Sequence, residues 1–294
     1  MKVAVLINPR SGTASRINLK EDSIQAAFRQ AEIEADVQIV DRRHLKEALR
    51  VAADSGVEAV VVGGGDGTIN TAAGILAGGD MPLGILPLGT SNHFARDLGI
   101  PRTTEGAIRV IAQGKVRRIG LGEVNGHVFV NNSVIGFYPH VVKVRRAIRK
   151  RFPIDKRIAR VLAGIASIPH FQRLHVHLDV EGETHSRVSP LIFIGTNPYR
   201  MKGLGFGAPM RAERGDLFIY LVRSGSRMGL LRLLAQGLVR DVSTSGEVEQ
   251  WIAPTLKIDV EQDSISVFTD GELFTLTPPL YYRSFPSALP VLVP

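Results

Sequence analysis

Three short runs near the N-terminus, KVAVLINP (2–9), EAVVV (58–62) and MPLGILPLG (81–89), are apolar without alternation, and each ends in a loop of small polar residues. A strand with no polar face must be covered on both sides, which suits a parallel sheet layered by helices. The intervening chain supplies those layers. Residues 21–34 carry Ile24, Phe28 and Ala31 at helical spacing, 44–56 reads as a helix stopped by Gly56, and 68–78 as a third, while ADVQIVD (35–41) alternates like a strand. Ligands of such sheets sit at the carboxyl ends of the strands. The loops NPRSG (8–12), GGGDGT (63–68) and PLGTSN (87–92) are therefore expected to share one functional edge.

Beyond residue 115 the texture changes to short alternating runs such as HVFVNNSVI, LHVHLDVEG and SISVFTDGE, separated by turn residues, with helical stretches near 141–168 and 228–239. This pattern predicts a second domain of antiparallel strands. The expected organisation is α/β plus β. A parallel-sheet, three-layer α/β nucleotide-binding domain spans 1–118 and an antiparallel β-sandwich spans 119–279, with a tail of about 280–294 able to pack back on the first domain.

Glycines after a buried strand let backbone amides approach a phosphate, and the helix that follows offers its positive end. GGGDGT is neither a Walker loop nor a full G-x-G-x-x-G, because Thr68 takes the third glycine's place. Asp66 stands in the middle of this cradle. A carboxylate about 4 Å from a phosphate charge costs roughly 4 kcal/mol at an effective dielectric near 20. A divalent cation between them reverses the sign. Asp66 therefore either belongs to a Mg-nucleotide site or is turn chemistry, capping the helix or holding the loop. A second acidic turn lies in FTDGELFTL (268–276), where Asp270 and Glu272 flank Gly271 in what is also an ordinary hairpin sequence.

These motifs, with NNSVIGFYP (131–139) and the long string LPLGTSNHFARDLGIP, resemble the soluble diacylglycerol-kinase-like lipid kinases of bacteria over nearly the whole chain. That family is related to sphingosine kinases and, more distantly, to NAD kinases. The resemblance implies ATP bound between two domains, Mg2+ as cofactor, and phosphoryl transfer to a lipid alcohol such as diacylglycerol. Carried over by residue, it implies nucleotide contacts from Asn8, Pro9, Arg10, Ser11 and Gly12, from Asp41, from Gly63, Gly64, Gly65, Asp66, Gly67 and Thr68, and from Thr90 and Asn92. It places the base that takes the acceptor's proton at Asp270 or Glu272, with Glu272 ranked first, and Asp66 in a metal network.

Three positions depart from the family. Thr71 and His93 stand where many relatives carry acids, which leaves more of the metal work to Asp66 and the DGE turn. At 213–215 the chain reads Glu-Arg-Gly where relatives hold a structural metal with acids. Arg214 cannot ligate a cation, so Asp216 and Glu213 are the remaining donors there and the site is expected to be unfilled.

The formal net charge is +8, and the segment 143–160, from Lys143 to Arg160, holds nine cations against Asp155, so it carries the whole excess. Apolar residues interleave with those cations, which suits the surface of an anionic membrane better than nucleic acid, for which no motif is present. Pro153 is expected to divide the segment into two helices. There is no cysteine and no apolar stretch near the roughly 20 residues that span a bilayer, and MKVAVLINPRSG is not expected to be a secretory leader. The protein is expected to be cytoplasmic and to meet lipid peripherally, with its oligomeric state open. His175 and His177 share a strand face and read as solvent-facing. Two rival functions are a nucleotide-binding sensor without turnover and a kinase of a soluble substrate such as NAD.

Overall fold

The computed structural model describes residues 1–12, 21–152, 154–199, 215–223, 226, 229 and 246–294. Glu213, Arg214 and all but Gly229 of the expected helix at 228–239 lie outside the described residues. In chain order the elements are β1 (Lys2–Ile7), α1 (Glu21–Gln30), β2 (Glu34–Ile39), α2 (Leu45–Ala53), β3 (Ala59–Gly64), α3 (Asp66–Leu76), β4 (Leu83–Pro87), α4 (His93–Asp97), α5 (Thr104–Gln113), β5 (Val116–Val124), β6 (His127–Phe129), β7 (Asn132–Gly136), α6 (Phe137–Arg151) and α7 (Lys156–Ser167). A 3-10 turn (Ile168–His170) follows, then β8 (Leu174–Val180), β9 (Glu183–Ser189), β10 (Leu191–Gly195), β11 (Leu217–Val222), β12 (Val248–Ala253), β13 (Thr255–Val260), β14 (Ile265–Thr269), β15 (Glu272–Leu276) and β16 (Leu280–Leu292).

The chain forms two compact units that interleave in sequence, Met1–Leu121 with His127–Val130 and Phe285–Pro294, and Gly122–Gly126 with Asn131–Ser284. In the first unit the strands run in parallel in the order β2-β1-β3-β4. Strands β1, β3 and β4 are buried almost throughout, as strands with apolar side chains on both faces require. Strand β2 lies at the edge and buries only Val37, which explains its alternating sequence. Helix α1 turns Ile24 and Phe28 inward, and α5 is capped by Thr103, whose hydroxyl accepts from the Gly106 N–H at 3.2 Å. The C-terminal segment closes this core. Leu289, Val291, Leu292 and Val293 are buried in it, Val291 pairs with Leu83, and the Gly78 N–H donates to Ala288 O at 2.8 Å.

The second unit carries an antiparallel sheet ordered β12-β11-β10-β7-β14-β15. Strands β13, β8 and β9 and the first residues of β16 form further antiparallel pairs. Alternation decides which face is covered: β8 buries Leu174, Val176, Leu178 and Val180 and exposes His175 and His177. Tyr282 of β16 is fully buried, with its hydroxyl 3.0 Å from Ser133 Oγ of β7. Among the described residues no helix is long and apolar enough to cross a membrane.

Candidate functional site

In the first unit the loops after β1, β3 and β4 pack on one another through backbone. Asn8 organises the first: its N–H donates to Gly63 O at 2.9 Å, its Nδ2 to Thr68 Oγ1 at 3.0 Å, and its Oδ1 accepts from the Arg10 N–H at 3.1 Å. The three loops approach too closely for side chains. A Cβ on Gly89 would stand 2.3 Å from Gly65 Cα, one on Gly64 would stand 2.5 Å from Thr68 Cβ, and one on Gly12 would stand 2.5 Å from Thr90 Oγ1. Glycine is required here by contact, not by backbone angle. Asn92 takes a left-handed backbone, φ +49°, and its Nδ2 donates to Pro87 O and Gly89 O, both at 2.9 Å. Its side chain braces the third loop from inside.

The second loop opens α3. Gly65 precedes the helix in extended conformation, its carbonyl accepts from the N–H groups of Thr68 and Ile69, and no side chain caps this end. Asp66 is the first helical residue, so it is not the N-cap that turn chemistry predicts. Its carboxylate, half-buried, accepts from the Phe94 N–H at 3.4 Å, at the start of α4. Helix α3 is eleven residues long and presents amides that have no intrahelical acceptor. Ser11 Oγ and Asn92 Oδ1 are buried here without a hydrogen-bond partner. A glycine cradle that a Cβ would fill, an uncapped helix end and a buried hydroxyl without a partner together fit a phosphate group. Arg10 pairs with Asp41 at 3.6 Å, both exposed, and Pro9 is half-buried.

Sequence reasoning missed Asp97. It lies one turn after His93 on α4, where an i, i+4 spacing in HFARD was the available signal. Burial pushes its carboxyl above the usual range; Arg96 and His93 pull it down and the charge of Asp66 pushes it up. Arg96 reaches both partners, 3.4 Å to Asp97 Oδ1 and 3.1 Å to His93 Nδ1. Position 93 holds histidine, and Asp97 stands one helical turn later, where its carboxyl senses the charge of Asp66.

In the second unit Asp270 and Gly271 join β14 to β15 as a two-residue turn, with φ +44° and +96° and Thr269 paired to Glu272. Positive φ at both positions is what an Asp-Gly hairpin turn of type I′ requires. Asp270 does more than turn the chain. It is buried, its Oδ1 accepts from the N–H groups of Asn131 and Asn132, each at 3.1 Å, and its own N–H donates to Asn132 O at 3.2 Å. Asn131 O in turn receives the Thr196 N–H at 3.1 Å and the Tyr199 hydroxyl at 3.3 Å. Glu272, two residues on, is half-buried at the start of β15. The paired acids of the DGE turn therefore have different surroundings.

Helix α6 is anchored to this hairpin. Tyr138 meets Phe268 edge to face at 5.1 Å, Lys143 Nζ donates to Ser266 Oγ at 2.8 Å, and Arg146 Nη2 donates to Gly271 O. Two cations of the basic segment are thereby tied to the β14–β15 hairpin, a link that no sequence spacing announced. Asp216, the other expected metal ligand, lies half-buried before β11. Among the described residues no three His, Asp or Glu side chains gather to hold a metal ion on their own. Asp66 can supply one carboxylate to a Mg2+ whose other ligands are water and phosphate, the usual arrangement for that ion.

Two family models match the chain, the diacylglycerol kinase catalytic domain over residues 2–124 and the YegS C-terminal NAD kinase beta sandwich-like domain over residues 132–293. The diacylglycerol kinase of Mycobacterium tuberculosis (strain ATCC 25618 / H37Rv) is 33% identical over 306 aligned residues, covering 100% of this chain and 95% of that protein. The probable lipid kinase YegS of Salmonella newport (strain SL254) is 39% identical over 197 residues, covering 64% of this chain and 60% of that protein. The crystal structure of a putative diacylglycerol kinase from Bacillus anthracis str. Sterne matches with a TM-score of 0.74 at 22% identity, over 100% of this chain and 97% of the other, a likeness of fold.

Proposed function

Because the chain belongs to the diacylglycerol kinase family and is a kinase of that family, we propose that it transfers the γ-phosphoryl group of MgATP to the hydroxyl of diacylglycerol or a related lipid alcohol. The observation that carries this reading is the uncapped N-terminus of α3 in its glycine cradle, with Asp66 as first helical residue. The amides of the second loop hold phosphate oxygens, and Arg10 and Ser11 stand on the adjoining loop. Asp66 would hold Mg2+ with its carboxylate, and Asp97 is the nearby acid whose titration its charge affects. When bound, the ion offsets charge on the phosphates and removes the repulsion that Asp66 alone would impose.

Glu272 is the base. An alcohol is a poor nucleophile at neutral pH, so its proton must leave as the oxygen bonds to the γ-phosphorus and the bond to the bridging oxygen of ADP breaks. Asp270 already spends one oxygen on two backbone N–H groups, which suits a group that positions the turn. Glu272, half-buried at the start of the next strand, takes the proton. The test is a transfer assay with labelled ATP, Mg2+ and mixed micelles of candidate lipid alcohols, with NAD as a parallel acceptor. Label in the organic phase is expected. Label on NAD, or none on any lipid from a protein that binds ATP, defeats the proposal.

A further inference from the structure

Helix α7 is amphipathic in an inverted sense. Its small residues Ala159, Ala163 and Ser167 are fully buried, and the helix packs against α6. Its large apolar residues face outward: Ile158 is 54% exposed, Val161 46%, Leu162 44% and Ile165 60%. At 3.6 residues per turn these four fall within an arc of about 100° on the side away from the alanines. A helix that serves only to fill a core would be turned the other way. The chain just before it adds Phe152, 52% exposed, with the Arg151 guanidinium 5.9 Å from its ring.

Cations precede this apolar row. Lys143 and Arg146 are committed to the hairpin, while Arg149, Lys150 and Arg151 at the end of α6 are exposed. An apolar row preceded by arginine and lysine matches the boundary between anionic headgroups and acyl chains. A second copy of the chain fits poorly, since pairing two such rows would bring two like-charged segments together. Nucleic acid would leave the row exposed to water.

We propose that the α6–α7 pair docks the protein on an anionic lipid bilayer, with Ile158, Val161, Leu162 and Ile165 seated at the acyl boundary and Arg149, Lys150 and Arg151 on the headgroups. This moves the expected membrane contact from the basic segment as a whole to its distal end and to α7 beyond it. The proposal rests on the lipid-acceptor reading for its purpose, although the surface binds vesicles whatever the acceptor is.

The experiment is cosedimentation of the full chain with phosphatidylglycerol–phosphatidylcholine vesicles and with phosphatidylcholine alone. Binding is expected to the anionic vesicles. The triple variant Ile158→Ser/Leu162→Ser/Ile165→Ser should bind at least about tenfold more weakly. It should keep its thermal midpoint and its turnover of a short-chain acceptor dispersed in detergent. Ile165→Trp in a Trp251→Phe background should be quenched by brominated acyl chains only when anionic vesicles are present. Equal vesicle binding by the triple variant overturns the proposal. So does a fall in its thermal midpoint, which would mean the row is packed in the folded protein, and so does a wild-type dimer that the same substitutions dissociate. Vesicle binding without lipid phosphorylation sinks the kinase reading and leaves the surface standing; phosphorylation without vesicle binding does the reverse.

Discussion

The two acidic turns of this protein, Gly65-Asp66-Gly67 in the first unit and Thr269-Asp270-Gly271 in the second, look alike in sequence and are built on opposite principles. Asp66 sits half-buried at an open helix end with one long contact, 3.4 Å from the Phe94 N–H. Asp270 is buried and accepts two N–H groups at 3.1 Å. A carboxylate with few protein partners adds little to stability and keeps its lone pairs for a ligand, whereas one that closes a buried network cannot leave it without orphaning two donors. Acidity in a glycine turn therefore says little about role. What decides is how many of the carboxylate's acceptor sites the fold has already filled.

The widest separation between the turns should come from Glu272→Gln. It should lower kcat by about 10²–10⁴-fold, the usual contribution of a general base, while ATP affinity and the thermal midpoint stay near wild type. Steady-state kinetics with equilibrium ATP binding checks this, and a variant that keeps its turnover removes Glu272 as base.

Asp66→Asn comes next, with a loss of about 10²-fold in kcat/KM for MgATP, the size expected from removing a charge interaction of a few kcal/mol. Its sign should invert without metal. In the presence of a chelator ATP should bind more tightly to the variant than to the wild type, because the repulsion has gone. Calorimetric titration in both conditions reads this directly, and weaker binding in both would return Asp66 to the role of a loop strut.

At Asp270 the effect should appear in folding. Asp270→Ala leaves two N–H groups unsatisfied and puts alanine at positive φ, for a cost of about 1–3 kcal/mol each way. Asp270→Asn keeps one acceptor and tolerates the left-handed backbone, so it should cost less. Urea denaturation should rank wild type, Asn and Ala in that order, and equal stability for all three would break the contrast with Asp66.

The smallest expected effect is a pH dependence confined to the second unit. Burial, and then the neighbouring His170 and Lys143, lower the pKa of His140 on α6, whose Nε2 is buried without a partner. The folded state thus takes up this proton less readily than the unfolded chain does. Its contribution to stability is complete above the unfolded value near 6.5 and is lost as pH falls through that value toward the lower folded one. Denaturation midpoints from neutral to mildly acid pH should decline more in wild type than in His140→Phe.

The layered α/β unit was legible because its signals are local. Unbroken apolar strands, helical spacing in 21–34 and 44–56, and small polar residues at each strand's end depend only on neighbours in sequence, and the structure places β1, β3 and β4 accordingly. The glycine loops were legible for the same reason, and the structure shows the close backbone approach that their glycines permit. Asp97 was not, because its significance is its environment: nothing in HFARD states that burial and Asp66 will act on that carboxyl. The split between Asp270 and Glu272 was equally hidden. It depends on Asn131 and Asn132, some 138 positions away, arriving with their amides against one of the two acids.

The basic segment shows the boundary most clearly. Composition located the charge excess, but charge alone does not say which cations are engaged, and two of them are held by the β14–β15 hairpin. Nor could periodicity tell which side of α7 faces the protein, since both its alanine side and its isoleucine–leucine side are apolar. From its sequence alone this chain determined the elements, their class and the glycine-bound carboxylate, because strand burial, helical period and close backbone approach are written in adjacent residues. Tertiary structure decided which acids are committed, which cations remain outside and which face of α7 is presented, because each depends on what a distant segment brings against it.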